Sequence, residues 1–186
     1  IPRAALMENA GKAAAGAISE RLGGAKNKNI LVVCYHGNNG GDGFVAARHL
    51  CEKHEVDVLF IGDENKFKPE AKANYEKISH NDRIQLFENP DIIDFERYEV
   101  IVDAIFGTGI TGNLPESIKA IIEQMNDSKA LKVAVDIPTG LNPDTGALSE
   151  KVFDADLIVT FHDMKPGLEK FKELVVVKDI GMAPKQ

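Results

Sequence analysis

A cluster of glycine, asparagine and aspartate residues constrains the fold of this chain more than any other segment. Residues 36–43 read His-Gly-Asn-Asn-Gly-Gly-Asp-Gly, between an apolar run at 30–34 and a helical pattern from Phe44 to Lys53. A strand that passes through glycines into a helix brings bare backbone N–H groups against an anion, and the helix N-terminus adds partial positive charge. The segment therefore predicts a ligand site in an α/β fold.

A structural alternative accounts for part of this segment. Only residues 41–46 match the dinucleotide fingerprint, in its version that ends in Ala, and one such match is weak evidence. Glycine and asparagine also supply the positive φ angles of a tight turn. A turn explains the glycines, but it does not explain why Asn38 and Asn39 are followed by Asp42 at the start of a helix. We therefore favour the ligand site.

Strand and helix patterns alternate along the chain. Apolar runs predict strands at Ile30–Tyr35, Val56–Ile61, Ile84–Phe87, Val100–Ala104, Lys132–Asp136, Leu157–Phe161 and Leu174–Val177. Helical spacing predicts helices at Leu6–Leu22, Phe44–Lys53, Pro69–Ser79 and Pro115–Asn126. Several strands are continuous apolar runs, which is typical of a parallel sheet covered on both faces. The expected fold class is α/β, a three-layer sandwich with a mostly parallel sheet and helices on both faces.

The composition limits the domain count and the kind of partner. The chain has 186 residues, of which 44% are hydrophobic, so we expect one domain over residues 1–186. A net charge of -7 with scattered lysines argues against nucleic-acid binding. Cys34 and Cys51 lie in apolar patterns without a C-x-x-C motif, which favours reduced packing residues. Because no run approaches the length of a membrane span, we expect a cytoplasmic protein without a membrane partner.

The ends of the predicted strands form the candidate site, because ligands of such folds bind beyond the carboxyl ends of the strands. Four of these ends carry glycine, amide, hydroxyl or carboxylate groups, at residues 36–43, 103–113, 136–143 and 160–167. The glycines between Gly107 and Gly112 precede a helix and are suited to binding a phosphate through backbone N–H groups. A flexible surface loop is the alternative, but Thr108, Thr111 and Asn113 add further donors.

Five motifs occur in order over nearly the whole chain. They are Leu-Met-Glu-Asn-Ala-Gly at 6–11, the glycine cluster at 37–43, Val-Asp-Ala-Ile-Phe-Gly-Thr-Gly at 102–109, Val-Asp-Ile-Pro-Thr-Gly-Leu-Asn at 135–142 and Lys-Pro-Gly at 165–167. In this order they resemble the NAD(P)H-hydrate epimerases, the YjeF N-terminal domain family. The resemblance implies a Rossmann-like sandwich that interconverts the R and S epimers of hydrated NADH and NADPH (NADHX and NADPHX) in nicotinamide cofactor repair.

The same resemblance implies partners and a cofactor. Members of the family are usually homodimers with a bound potassium ion. They work with an NAD(P)H-hydrate dehydratase, and in some members that dehydratase follows in the same chain. Whether residues 1–186 are the N-terminal part of such a bifunctional chain stays open.

The family's site residues carry over onto matching positions of this sequence. Its ligand loop falls on Asn38, Asn39, Gly40, Gly41 and Asp42. Its second ligand loop falls on Gly107, Thr108, Gly109, Ile110, Thr111, Gly112 and Asn113. Its potassium ligands fall on Asn39, Asp103 and Thr139, and the family usually has Ser at the last of these positions. Amide, carboxylate and hydroxyl oxygens are hard donors that suit an alkali cation. Capping and turn bonding are the alternative roles of Asp103 and Thr139.

The family's acid falls on Asp136, which is our candidate for the general acid/base and for contact with the ligand. The alternative is a structural aspartate that caps the turn at 138–140. Lys165 is a second catalytic candidate, because it can supply positive charge to a phosphate or a hydroxide, although a lysine before Pro-Gly is equally typical of an exposed turn. His162 is expected to support the site without acting on the ligand.

Two other classes of function use the same fold. In the scaffold proteins that enhance mRNA decapping, the domain serves dimerisation without the full set of active-site groups. A nucleotide-binding sensor without chemistry is the other alternative. The presence of Asn39, Asp103, Asp136 and Thr139 together argues against a scaffold.

Overall fold

Seven strands form one sheet in the computed structural model, which describes residues 1–109 and 112–182. They are β1 (Asn29–Cys34), β2 (Glu55–Phe60), β3 (Ile84–Phe87), β4 (Val100–Ala104), β5 (Leu131–Val135), β6 (Leu157–Phe161) and β7 (Val175–Lys178). Their order is β3-β2-β1-β4-β5-β6-β7, and every neighbouring pair is parallel. The described sheet is therefore parallel throughout, where the sequence predicted a mostly parallel one.

Helices cover both faces of this sheet. The α-helices of the described residues are α1 (Arg3–Arg21), α2 (Asn38–Leu50), α3 (Pro69–Ser79) and α4 (Glu116–Asp127). Helices α1, α2 and α3 pack on one face, and α4 packs on the other with the 3-10 segment Pro166–Leu174. Because successive strand residues point to opposite faces, β1 places Val32 in the first core and Leu31 and Val33 in the second. The predicted three-layer α/β sandwich is confirmed.

The predicted strands agree with the structure to within one residue at each end, and β3, β4, β6 and helix α3 agree in full. The largest difference is α2, which begins at Asn38 and not at Phe44. No helix among the described residues is both long enough and apolar enough to cross a bilayer.

Helix α2 begins early because its glycines let it touch the sheet. A Cβ atom on Gly40 would lie 1.8 Å from the carbonyl oxygen of Tyr35, and one on Gly43 would lie 2.5 Å from the Cβ of Ala104. All residues from 37 to 43 are described, and none of them has a positive φ. The turn interpretation of the glycine cluster is therefore wrong. These glycines permit close packing of a helix on strand ends.

The candidate site lies where the strand order reverses. Strand β1 pairs with β2 on one side and with β4 on the other. The chain leaving β1 enters α2 on one face of the sheet, whereas the chain leaving β4 leads to α4 on the opposite face. Because these two connections diverge, a crevice opens between the carboxyl ends of β1 and β4, as in other doubly wound folds.

The first sequence motif, at 6–11, attaches α1 to α2. Glu8 accepts a hydrogen bond from the guanidinium group of Arg48. Gly11 lets the two helices approach, since a Cβ atom there would lie 2.3 Å from the Cβ of Val45. The motif therefore acts through the packing of α2, the helix that begins at the crevice.

Two glycines of α1 provide a matched test of this packing. We expect Gly11→Ala to lower the free energy of unfolding by ~1–3 kcal/mol, because the added methyl group collides with α2. Gly16 is exposed, and no described atom lies within 4 Å of a Cβ built on it. Gly16→Ala should therefore raise the free energy of unfolding by ~0.5–1 kcal/mol through helix propensity alone. Chemical denaturation measures both values, and a Gly11→Ala protein as stable as the Gly16→Ala protein would contradict this account.

Candidate functional site

The first turn of α2 forms one wall of the crevice. Asn38 is exposed at its mouth, whereas Asn39 is buried and Asp42 is half-buried one turn further along. Gly37 is the N-cap residue and supplies no side-chain cap. The first N–H groups of an α-helix have no acceptor within the helix, so this turn offers donors and partial positive charge to a ligand. The segment predicted as a ligand loop is thus the start of a helix.

Asn39 carries an unsatisfied side chain. The residue is 7% exposed, and neither its Oδ1 nor its Nδ2 has a hydrogen-bond partner among the described residues. A buried polar group left without a partner costs about 1–3 kcal/mol, and such groups are rare in folded proteins. The amide of Asn39 is therefore poised for a bound ion or ligand.

Asp103 is fully buried at the end of β4. Its Oδ1 accepts hydrogen bonds from the Ile105 N–H (3.1 Å) and from the Thr139 hydroxyl (2.7 Å), and its Oδ2 accepts one from the Thr139 N–H (2.7 Å). Burial raises the pKa of Asp103 to about 6, although the hydrogen bonds from Thr139 and Ile105 oppose that effect. The carboxylate ties the loop after β4 to the loop after β5.

Thr139 completes this connection from the β5 side. Its side chain is buried, and its Oγ1 donates to Asp103 while accepting a hydrogen bond from the Phe106 N–H (3.2 Å). A hydroxyl oxygen has two lone pairs, so Oγ1 keeps one for a further contact. A hydroxyl group therefore stands at the position where the family usually has Ser. The hydrogen bonds of Thr139 to the loop after β4 also give it the bonding role that was its alternative.

Asp136 lies directly after β5 and forms an ion pair with the half-buried Lys165. Its Oδ1 is 2.9 Å from Lys165 Nζ and accepts a hydrogen bond of 2.9 Å from the hydroxyl group of Thr160. Asp136 has a φ of 67°, which is unusual for a residue with a side chain and is frequent at functional sites. The structure therefore brings together both predicted catalytic residues.

Gly107 brings the first and second ligand loops together. A Cβ atom on Gly107 would lie 3.2 Å from Asp136 Oδ2 and 3.4 Å from the Cβ and Cγ atoms of Asn39. Asn39 and Asp136 therefore flank a residue without a side chain, on the floor of the crevice. Any side chain at this position would fill the space between them.

The other described residues of the second loop lie towards solvent. Thr108, Gly109, Gly112 and Asn113 are exposed, and Ile110 and Thr111 lie outside the described residues. A cleft of ≈ 220 Å³ runs from this loop to the loops after β5. Its lining includes Gly107, Gly112 and Asn113, together with residues of the segment 138–149. The cleft adjoins the crevice through Gly107.

The crevice holds a further carboxyl group near Asp136. Burial and the negative charge of Asp136 raise the pKa of Asp42 well above its ordinary value. His162 points elsewhere, since its Nε2 is 3.2 Å from the exposed carboxylate of Asp163. The sequence analysis included Thr160 in the strand end at 160–167 but assigned it no role, because a threonine within an apolar run is typical of an ordinary strand residue.

The chain matches a known protein family. The model of the family described as "YjeF-related protein N-terminus" matches residues 3–167. The chain belongs to this family, as the sequence motifs indicated. A crystal structure of the yeast protein ynu0, YNL200c, superposes with a TM-score of 0.83 at 24% identity and covers all of this chain and 87% of that one. This likeness confirms the Rossmann-like fold.

Named relatives align with nearly the whole of this chain. A Methanothermobacter thermautotrophicus protein named "Bifunctional NAD(P)H-hydrate repair enzyme Nnr" is 42% identical over 99% of this chain and 37% of its own length. A Nitrosopumilus maritimus protein named "NAD(P)H-hydrate epimerase" is 39% identical over 96% of this chain and 86% of its own length. The chain thus spans 37–38% of the length of three bifunctional relatives, but 86% of the length of the Nitrosopumilus maritimus protein.

Proposed function

We propose that this member of the YjeF-related family interconverts the R and S epimers of NADHX and NADPHX. The observation that carries this proposal is the Asp136 carboxylate, held on one oxygen by Thr160 and Lys165 while the other oxygen faces Gly107 and the buried amide of Asn39. Relatives named for NAD(P)H-hydrate epimerase and repair support the choice of substrate.

The reaction needs one proton to be exchanged with the hydroxyl group on the hydrated ring carbon. If the hydroxyl group departs as water, the carboxyl group supplies the proton, the ring nitrogen supplies the electron pair, and water adds back to either face while returning the proton. If the ring opens instead, the carboxylate takes the hydroxyl proton and passes it to the ring nitrogen as the carbon–nitrogen bond breaks, which leaves an aldehyde and an amine, and the reverse transfer accompanies closure. In both routes Asp136 is the group that we assign to this exchange.

Backbone groups of the crevice bind the dinucleotide in this proposal. The N-terminus of α2 offers N–H donors from residues 38–40, since the Gly41 N–H already donates to the Gly37 carbonyl, and the second loop offers those around Gly107 and Gly109. These donors suit phosphate oxygens, while the Asn39 amide suits a polar group of the hydrated ring. Lys165 contributes a fixed positive charge beside Asp136.

A potassium ion is the cofactor that we propose for the same crevice. The residues fit the ion, because Asn39 has an unsatisfied amide oxygen and Asp103 and Thr139 offer carboxylate and hydroxyl oxygens. Within the described ranges no group of three or more His, Cys, Asp or Glu side chains is placed to hold a metal ion. The bound ion would supply positive charge next to the buried Asp103 carboxylate.

We further propose how the protein works in the cell. Its product would pass to an NAD(P)H-hydrate dehydratase, since three relatives are bifunctional repair enzymes in which this domain accounts for 37–38% of the length. Residues 1–186 would act as a single epimerase domain in the cytoplasm, as a homodimer, with or without that second domain in the same chain.

Substitution of Gly109 tests the phosphate contact of the second loop. No described atom lies within 4 Å of a Cβ built on Gly109, so a valine there should leave the fold intact. It should weaken binding of NADP⁺ by about 10-fold or more, because the side chain keeps phosphate oxygens away from the backbone. Titration calorimetry and thermal unfolding measure the two effects. Unchanged NADP⁺ affinity in a folded Gly109→Val protein would place the phosphate elsewhere.

Replacing Asn39 tests the potassium site. In potassium-free buffer Asn39→Ala should be at least as stable as the wild type, since its buried amide has no partner among the described residues. Added potassium should raise the melting temperature of the wild type more than equal sodium does, because the ion binds only the folded state. The variant should lose this difference, whereas Asn65→Ala, at an exposed site between β2 and α3, should keep it. A full potassium response in Asn39→Ala would refute the site.

Asp136→Asn tests the proton-transfer role. The substitution keeps the size of the side chain but removes its exchangeable proton, so turnover of purified R-NADHX should fall by roughly 10²-fold or more with little change in binding. Chromatography of the two epimers over time, corrected for uncatalysed epimerisation, gives the rate. Asp154→Asn removes an exposed carboxylate and serves as the control. Near-wild-type turnover by Asp136→Asn would exclude the assigned role.

A further inference from the structure

Thr160 is a buried hydroxyl in an otherwise apolar strand. The other members of β6 are Leu157, Ile158, Val159 and Phe161, and Thr160 itself is 0% exposed. Its Oγ1 donates a hydrogen bond of 2.9 Å to Asp136 Oδ1 and accepts one of 2.8 Å from Lys165 Nζ. The hydroxyl group therefore contacts both residues assigned to catalysis.

Lys165 is held in place by two hydrogen bonds and an ion pair. An ammonium group carries three N–H donors. Here Nζ lies within hydrogen-bonding distance of three oxygens: Thr160 Oγ1 at 2.8 Å, the Phe161 carbonyl at 2.7 Å and Asp136 Oδ1 at 2.9 Å. Lys165 thus acts as a fixed charge and an anchor beside Asp136.

The two carboxylate oxygens of Asp136 are not equivalent. Oδ1 receives both the Thr160 hydroxyl and the Lys165 ammonium. No hydrogen bond to Oδ2 occurs within the part of the chain that the structure describes, and Oδ2 is the oxygen next to Gly107. A hydrogen bond and an ion pair at one oxygen hold the plane of the carboxylate and direct the other oxygen into the crevice.

We propose that Thr160 is a positioning residue, which locks Asp136 Oδ1 so that Oδ2 alone exchanges the proton of the ligand hydroxyl. This inference rests on the proposed function of Asp136 as the proton-transfer group. The hydroxyl group acts with Lys165 as a two-point clamp, since a single bond from Lys165 leaves the carboxylate free to rotate about that contact. At position 160, serine keeps the hydroxyl donor and valine removes it. Both side chains fit the volume that Thr160 occupies.

Kinetics of Thr160→Val and Thr160→Ser test the clamp. Misplacement of a catalytic group by about 1 Å costs up to ~10²-fold in rate, so we expect kcat for R-NADHX to fall by roughly 10- to 100-fold in Thr160→Val, with KM little changed. Thr160→Ser should recover most of the lost kcat, because its hydroxyl group can donate to Oδ1 again. A crystal structure of Thr160→Val should show the carboxylate of Asp136 rotated from its wild-type plane.

Ser128→Ala is the matched control for the loss of a buried hydroxyl. Ser128 is also buried, and its Oγ donates to the Met125 carbonyl at the end of α4. The free energy of unfolding of Ser128→Ala should fall by about as much as that of Thr160→Val, but its kcat should not change. Wild-type kcat in Thr160→Val, or equal impairment of the serine and valine variants, would overturn the clamp alone. An inactive wild-type protein would instead overturn the proposed function, and the clamp with it.

Discussion

The contact between the glycine-rich start of α2 and the ends of β1 and β4 is the constraint on which the crevice depends. Gly40 and Gly43 have no side chains, so the backbone of the helix lies directly against Tyr35 and Ala104. A helix displaced by ordinary side chains would carry Asn39 away from Gly107. The motif in α1 supports the same helix from its outer side, because Gly11 lets α1 pack closely on α2. Two sets of glycines thus set the width of the site.

The charge of the crevice explains why it needs compensating groups. It holds the carboxyl groups of Asp42, Asp103 and Asp136, with the ammonium group of Lys165 beside the last. A dinucleotide adds the negative charge of its phosphates. The N-terminus of α2 and a bound cation would offset this accumulation, since both place positive charge at the same strand ends. Burial raises the pKa values of both Asp42 and Asp103, and the negative charge of Asp136 adds to this effect at Asp42.

Most of the candidate site could be predicted because its residues follow strand ends. Asp103 and Asp136 come at or directly after β4 and β5, and parallel strands deliver their carboxyl ends to one edge of the sheet. Thr160 lies in the strand end predicted at 160–167, but its role could not be predicted in this way, because that role arises from the pairing of β5 with β6 and from the hydrogen bond that Lys165 donates to it. Such a contact joins residues without any regular spacing in the sequence.

The sequence by itself determined the α/β class, the strand positions and the polar strand ends, since apolar runs and helical spacing act locally. Only the tertiary structure decided the role of the glycines between 37 and 43. They allow a short distance between α2 and the sheet, and the local sequence pattern carries no information about that distance. The tertiary structure likewise decided which oxygen of Asp136 faces the crevice, because that choice depends on two partners from a neighbouring strand and its following turn.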